Sequence, residues 1–258
     1  MSWYQLLDPN HIYTFLLLFV RLSTLFVFMP FYNHAAVSRN VKAAFAFYLT
    51  LLLYPMVPVS PEPYSAASFF AALFFEIALG LTAGLALNIV FAMLSYAGEQ
   101  IAFVMGFSLA STMDPQSGVQ SPLVSQFLTM TAMLVLLAFN GHHEMLLWMV
   151  KAVQAVPPGR YPLDQGVSSY LMGAMGHLFV MGFSIAFPIV ALSLLADVIF
   201  GMLMKTMPQF NLLVVGFPIK IALSLAVWSV TLVAMMLLFK REFQSAMTVL
   251  FGWLGGTP

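Results

Sequence analysis

Residues 68–106, SFFAALFFEIALGLTAGLALNIVFAMLSYAGEQIAFVMG, form an apolar block of nearly forty residues in which Glu76 and Glu99 are the only charges. As a helix it measures about 60 Å at roughly 1.5 Å per residue, against a bilayer hydrocarbon core of about 30 Å. A plain crossing does not use up that length. Either the block breaks near Gly84, or it projects beyond the bilayer and packs against neighbouring chains, and we favour the second reading. Glu76, Gly80, Gly84 and Asn88 follow one another at four-residue steps, and Gly98, Ala102 and Gly106 repeat the step. Small residues so spaced admit a second helix closely, and Glu76 or Asn88 can hydrogen-bond across the contact. A proton-relay role for Glu76 stays open, since ionisable groups inside a membrane domain are functional or paired.

The same character extends through the chain. Of its 258 residues 62% are hydrophobic and 7% charged, with a mean hydropathy of +0.96, where soluble domains carry about 25% charged residues. Further apolar blocks occupy about 11–30, 43–58, 122–140, 142–156, 168–205 and 212–239. The pattern predicts a single all-α membrane protein domain of long, kinked helical hairpins, with six or seven helical segments. Asp8-Pro9 reads as a cap and first-turn proline for the first helix, and the proline-rich stretch at 57–65 ends the second. The block at 168–205 is as over-long as 68–106, with Pro188 as its candidate break.

Nine lysines and arginines balance nine aspartates and glutamates, so no basic field exists to hold a nucleic acid. With no cysteine there are no disulfides or thiolate sites. The N-terminus lacks a charged leader and a small-residue cleavage site, so the first block is expected to stay in the mature protein. Arg39, Lys42 and Lys205 mark cytoplasmic loops under the positive-inside rule and put the N-terminus outside. Six crossings then leave Lys240 and Arg241 outside, against the same rule.

Two polar interruptions stand out. GFSLASTMDPQSGVQSP at 106–122 sets Gly106, Phe107, Ser108, Ser111, Thr112, Met113, Asp114, Pro115, Gln116, Ser117 and Gly118 between two apolar blocks. Asp114-Pro115 opens a turn that Gly118 can close, and non-helical backbone at membrane depth needs water or protein around it. The segment is either an exposed connection or a re-entrant plug across an aqueous path. MPQFNLLVVGFPIK at 207–220 interrupts a helix with Pro208, Gly216 and Pro218, while Gln209 and Asn211 offer polar side chains. It reads as the tip of a helical hairpin, serving as a plain turn or as a contact surface for a partner.

Arg21, Glu99, Asp197, Lys205 and Lys220 sit singly in apolar surroundings, where a lone charge is expensive unless paired or wet. His142-His143-Glu144 lacks the spacing of a zinc motif. No phosphate-binding glycine loop, dinucleotide fingerprint or serine elbow occurs, so catalysis and cofactor binding have no sequence support. Nineteen methionines supply deformable apolar filler; Met105 and Met113, beside the first interruption, are candidates for a seal around a moving polypeptide.

GFSLASTMDPQSG and MPQFNLLVVGFPIK together resemble motifs of the FliR family of flagellar export-gate proteins, supported by MPFYNH after the first block and GEQIAFVMGF before the loop. The resemblance covers essentially the whole chain. It implies a fusion of a FliP-like part, about 1–160, with a FliQ-like helical hairpin, about 161–258. It further implies a single copy joined to FliP-like and FliQ-like subunits in a helical, ring-like gate of the bacterial inner membrane, at the flagellar basal body. Gly106 to Gln120 would form the plug of a pore for unfolded exported polypeptides. Pro208, Gln209 and Asn211 would lie at the cytoplasm-facing base, near a FlhB-like switch protein. Injectisome subunits are similar in fold. The residues alone also admit a proton-coupled secondary transporter of a small solute, using Glu76, Asp197 and Lys220 near broken helices.

Overall fold

The computed structural model describes residues 9–29, 38–57, 65–107, 123–159, 165–207 and 212–255. These are seven α-helices: α1 (Pro9–Phe28), α2 (Arg39–Leu53), α3 (Ala66–Met105), α4 (Leu123–Ala138), α5 (Gly141–Ala155), α6 (Gln165–Thr206) and α7 (Phe217–Trp253). A 3-10 turn, Tyr54–Met56, closes α2, and a π-helical turn, Leu212–Gly216, leads into α7. No strand occurs among the described residues. The chain is an all-α membrane protein: α1, α3, α6 and α7 are each long and apolar enough to cross a bilayer. The shorter α4 and α5 qualify only as a pair bent at its break.

Local chemistry sets these boundaries. Pro9 opens α1, where its missing N–H is no loss. Ser38 caps α2 by accepting the Val41 N–H, and Ser65 accepts the Ser68 N–H at 3.2 Å ahead of α3. Asn140, with φ of 60°, takes the left-handed conformation that Asn tolerates better than most residues and turns the chain between α4 and α5.

Neither over-long block breaks. α3 runs unbroken past Gly84, and α6 runs unbroken through Pro188. Within an apolar helix neighbouring groups can accommodate the backbone acceptor freed by a proline. The last block is longer than its hydropathy indicates, because α7 carries Lys240, Arg241 and Glu242 within the helix and ends at Trp253.

The helices form two compact units: Met1–Ile89 with Phe139–Ala174 and Phe243–Pro258, and Val90–Ala138 with Met175–Glu242. In the first, α1 lies against α3 along a single seam. A Cβ on Gly80 would fall 2.8 Å from Thr24 Cβ and 3.0 Å from the Arg21 carbonyl. One on Gly84 would strike Phe28 Cβ, and Asn88 Nδ2 donates to the Phe28 carbonyl at 3.3 Å. Because both residue numbers rise together along the seam, α1 and α3 run parallel. Leu17, Leu18, Leu22 and Leu25 of α1 are buried with Leu79, Ala83 and Leu87 of α3, and Trp148 of α5 donates its indole N–H to Leu250 O of α7 at 2.8 Å.

In the second unit a glycine again permits close approach. Gly98 of α3 faces the backbone N and Cα of Ser125 in α4, and Gly182 of α6 lies beneath the Tyr96 ring. Edge-to-face ring pairs, Phe91–Phe239 at 5.1 Å and Tyr96–Phe179 at 5.4 Å, add about 0.5–1.5 kcal/mol each beyond the area they bury.

Candidate functional site

The second unit holds the described residues that border both polar interruptions. α3 ends at Met105, and Gly106 adopts φ of +87°, a conformation that costs a side-chain-bearing residue about 1–2 kcal/mol. Its N–H reaches the Phe103 carbonyl at 3.1 Å. A Cβ on Gly106 would fall 2.7 Å from Phe217 Cε1, so the opening residue of 106–122 lies under the first residue of α7. One of the last carbonyls of α3, which lack helical partners, is satisfied from α6: Ser193 Oγ donates to Val104 O at 2.9 Å. One turn beyond Ser193, Asp197 accepts two bonds from Lys220 Nζ, at 2.7 and 2.8 Å. Lys220 is buried, where an unpaired ammonium would be costly.

Gly106 is thus brought against Phe217 of the second interruption, and the Ser193–Val104 and Asp197–Lys220 bonds tie α3, α6 and α7 at the same joint. Gly216 closes the π-helical turn and is buried, while Pro218 sits in the first turn of α7. The far end of 106–122 is anchored in the same unit. α4 begins at Leu123, and Ser125 exchanges a 2.9 Å hydroxyl bond with Ser95 and donates to the Ser95 carbonyl at 3.2 Å. Ser108, Ser111, Thr112, Met113, Asp114, Pro115, Gln116, Ser117 and Gly118 lie outside the described residues, as do Pro208, Gln209 and Asn211.

Gly106→Ala tests the joint. Its backbone cost of about 1–2 kcal/mol is expected to lower the melting temperature of the purified protein by a few degrees. Phe217→Leu should not restore it, because the ring can turn aside while φ cannot; full recovery would show that crowding, not the left-handed backbone, sets the requirement.

In the first unit, Arg21 and Glu76 are both 1% exposed. Arg21 Nε and Nη2 grip the two oxygens of Glu76, the second at 2.9 Å. Arg21 Nη1 donates to Ala152 O at 3.1 Å and Val156 O at 2.9 Å, carbonyls at the C-terminal end of α5. The Gly159 N–H completes the set by donating to Glu76 Oε1 at 2.6 Å. Every guanidinium nitrogen and both carboxylate oxygens are therefore engaged, tying α1, α3 and the end of α5. Sequence reasoning placed Arg21 among the single charges and missed this partnership. The clue was present: two lone opposite charges in apolar blocks, one of them on the glycine seam.

Of the other singled-out residues, Glu99 is exposed on α3, Lys205 is exposed at the end of α6 and Met105 is fully buried. His177 and Glu242 form a 3.0 Å pair within the second unit.

Comparison with known proteins matches residues 12–246 to the family described as bacterial export proteins, family 1. The chain is 34% identical over 213 residues to the flagellar biosynthetic protein FliR of Bacillus subtilis, covering 81% of this chain and 82% of that one. It is 32% identical over 207 residues to FliR of Pectobacterium carotovorum, with 80% and 79% covered. It is 29% identical over 209 residues to FliR of Escherichia coli K12, with 80% and 79% covered.

Proposed function

Since the chain belongs to the bacterial export proteins of family 1, the family of the FliR proteins it resembles, we propose that it is a structural and gating subunit of a flagellar protein export channel in the bacterial inner membrane. It joins FliP-like and FliQ-like subunits as a single copy, with about 1–160 as its FliP-like part and about 161–258 as its FliQ-like part. A FlhB-like switch protein docks near the turn at 207–211. Unfolded polypeptides pass, and no bond in them is made or broken by this chain.

One observation carries the gating part of this reading. Both ends of 106–122 are rooted in one unit, the first under Phe217 and beside Ser193, the second through Ser125 on Gly98. Fixed roots narrow the positions open to the residues between them, which lowers the entropy a stopper gives up in holding one position. Residues 106–118 are thus the plug of the resting pore.

Deleting residues 110–118 tests this. In the assembled gate the deletion should raise resting leakage of ions or small solutes through membranes carrying it, while the complex still forms. An assembled complex with unchanged leakage removes the plug assignment.

A further inference from the structure

Ser224 of α7 is fully buried, yet its Oγ makes no hydrogen bond among the described residues, and neither does the buried Nε1 of Trp228. Other hydroxyls of the second unit find partners. Thr129, Ser184 and Thr231 return theirs to a carbonyl of their own helix, and Ser125 and Ser193 donate to carbonyls of α3. Trp148, in the first unit, shows what a buried indole N–H ordinarily finds, a carbonyl at 2.8 Å. A buried hydroxyl and a buried indole N–H left unmet are both costly, and native interiors satisfy such groups with protein or with ordered water.

We infer that Ser224 and Trp228 together hold one buried water molecule. The two residues are four apart on one face of α7, and a long side chain in a helix leans back over the preceding turn, which here carries Ser224. Four residues rise about 6 Å, and a water bonded at about 2.8–3.0 Å on each side spans that distance. The chemistry suits water as well. The indole N–H only donates and the hydroxyl does either, so one water accepts from the first and exchanges a bond with the second. Burial excludes a larger guest, because Ser224 is wholly enclosed and the Trp228 ring packs edge-on against Phe127 of α4, with centroids 5.2 Å apart. Lys220, one turn earlier on the same face, gives two N–H groups to Asp197, whose side chain is half exposed. Asp197, Lys220, Ser224 and Trp228 thus form a polar file that starts at the surface and ends at the water. By holding the indole N–H, the water fixes the ring on Phe127, one turn after α4 begins at Leu123, where 106–122 ends.

The experiment compares the full chain with Ser224→Ala, Trp228→Phe and the double variant, purified in detergent, by thermal unfolding and by hydroxyl-radical labelling, in which X-ray activation of ordered water marks the side chains that touch it. Ser224→Ala leaves the water short of a partner and should lower the melting temperature by about 2–4 °C. In the Trp228→Phe background the same change should add nothing, because both changes act on one shared guest. Trp228 of the unaltered chain should be labelled, and Ser224→Ala should cut that labelling several-fold, since it removes the water and leaves the exposure of the ring as it was. A melting temperature unchanged or raised by Ser224→Ala, or losses that simply add, overturns the inference. So does labelling of Trp228 that is the same with and without the serine hydroxyl, which reports bulk solvent at the ring. Coupled losses with Trp228 unlabelled in the unaltered chain assign a direct bond between the two side chains and overturn it too.

Discussion

Arg21→Met should prevent the protein from accumulating in membranes, and Arg21→Met combined with Glu76→Leu should restore much of what the single change removes. Removing one member of a buried pair leaves the other charged and desolvated, which costs about 3–5 kcal/mol. Here Glu76 would retain only the Gly159 N–H. Replacing both members with apolar groups of similar volume is often near neutral, so the double variant loses mainly the bonds to Ala152 O and Val156 O and the one from the Gly159 N–H, about 1 kcal/mol each. Membrane levels and thermal unfolding in detergent measure both effects. The double variant also separates two functional readings. In an export-gate subunit the pair holds α1, α3 and the end of α5 together, so an accumulating double variant should support motility. In a proton-coupled carrier using Glu76, the same variant would accumulate and be inactive. The geometry favours the first: both oxygens of Glu76 are engaged by protein donors, which leaves none facing a solute.

The helical class and most helix boundaries are legible in hydropathy and punctuation alone, because apolar runs, prolines and capping serines are local features. Pro9, Ser38 and Ser65 begin helices for reasons visible within a few residues. What lies across the fold is less legible. The four-residue spacing from Glu76 to Asn88 announces a helix-contact seam but does not name α1 as the partner, since many helices could fit a glycine groove. Length misleads at the other end: hydropathy drops at Lys240, yet α7 continues to Trp253, because helix hydrogen bonding tolerates charges where their side chains reach a partner or the surface. Pro188 is a further case, as its effect on a helix depends on what surrounds the freed carbonyl rather than on the residue itself.

The joint of the second unit is legible in halves. Each polar interruption is marked by its glycines and prolines, and each is unusual enough to carry a family resemblance. That Gly106 lies beneath Phe217, more than a hundred residues away, has no counterpart in local spacing. Neither does the pairing of Asp197 with Lys220, although two lone opposite charges in successive apolar helices are the pattern from which such pairing is to be sought. Pairing across the 207–220 turn also explains why Lys220 is buried although it stands so near a helix start.

Gly98→Ala is expected to be severe for so small a change, and Ser125→Gly is expected not to cure it. An added Cβ at Gly98 would meet Ser125 Cα and, at 2.8 Å, Ser125 N; the Ser125 side chain is only the third-nearest group, at 3.0 Å. Backbone cannot turn aside as a side chain does, so α3 and α4 must separate. Overpacking of a tight core costs about 1–3 kcal/mol, and this site belongs at the upper end because both the Ser95–Ser125 bond and the surrounding contacts are lost with the separation. Removing the serine side chain relieves the smaller part of the clash and itself abolishes that bond, so the double variant should be no more stable than Gly98→Ala alone. Thermal unfolding of the purified protein reads the stability, and recovery in the double variant would refute the backbone argument. The consequence for function follows from position. Gly98 lies eight residues before Gly106, and Ser125 lies three after Pro122, so their contact sets how far apart the ends of 106–122 are held. Where a Gly98→Ala gate still assembles, its resting leak should rise toward that of the 110–118 deletion, since a stopper whose roots have been spread no longer sits where it seals.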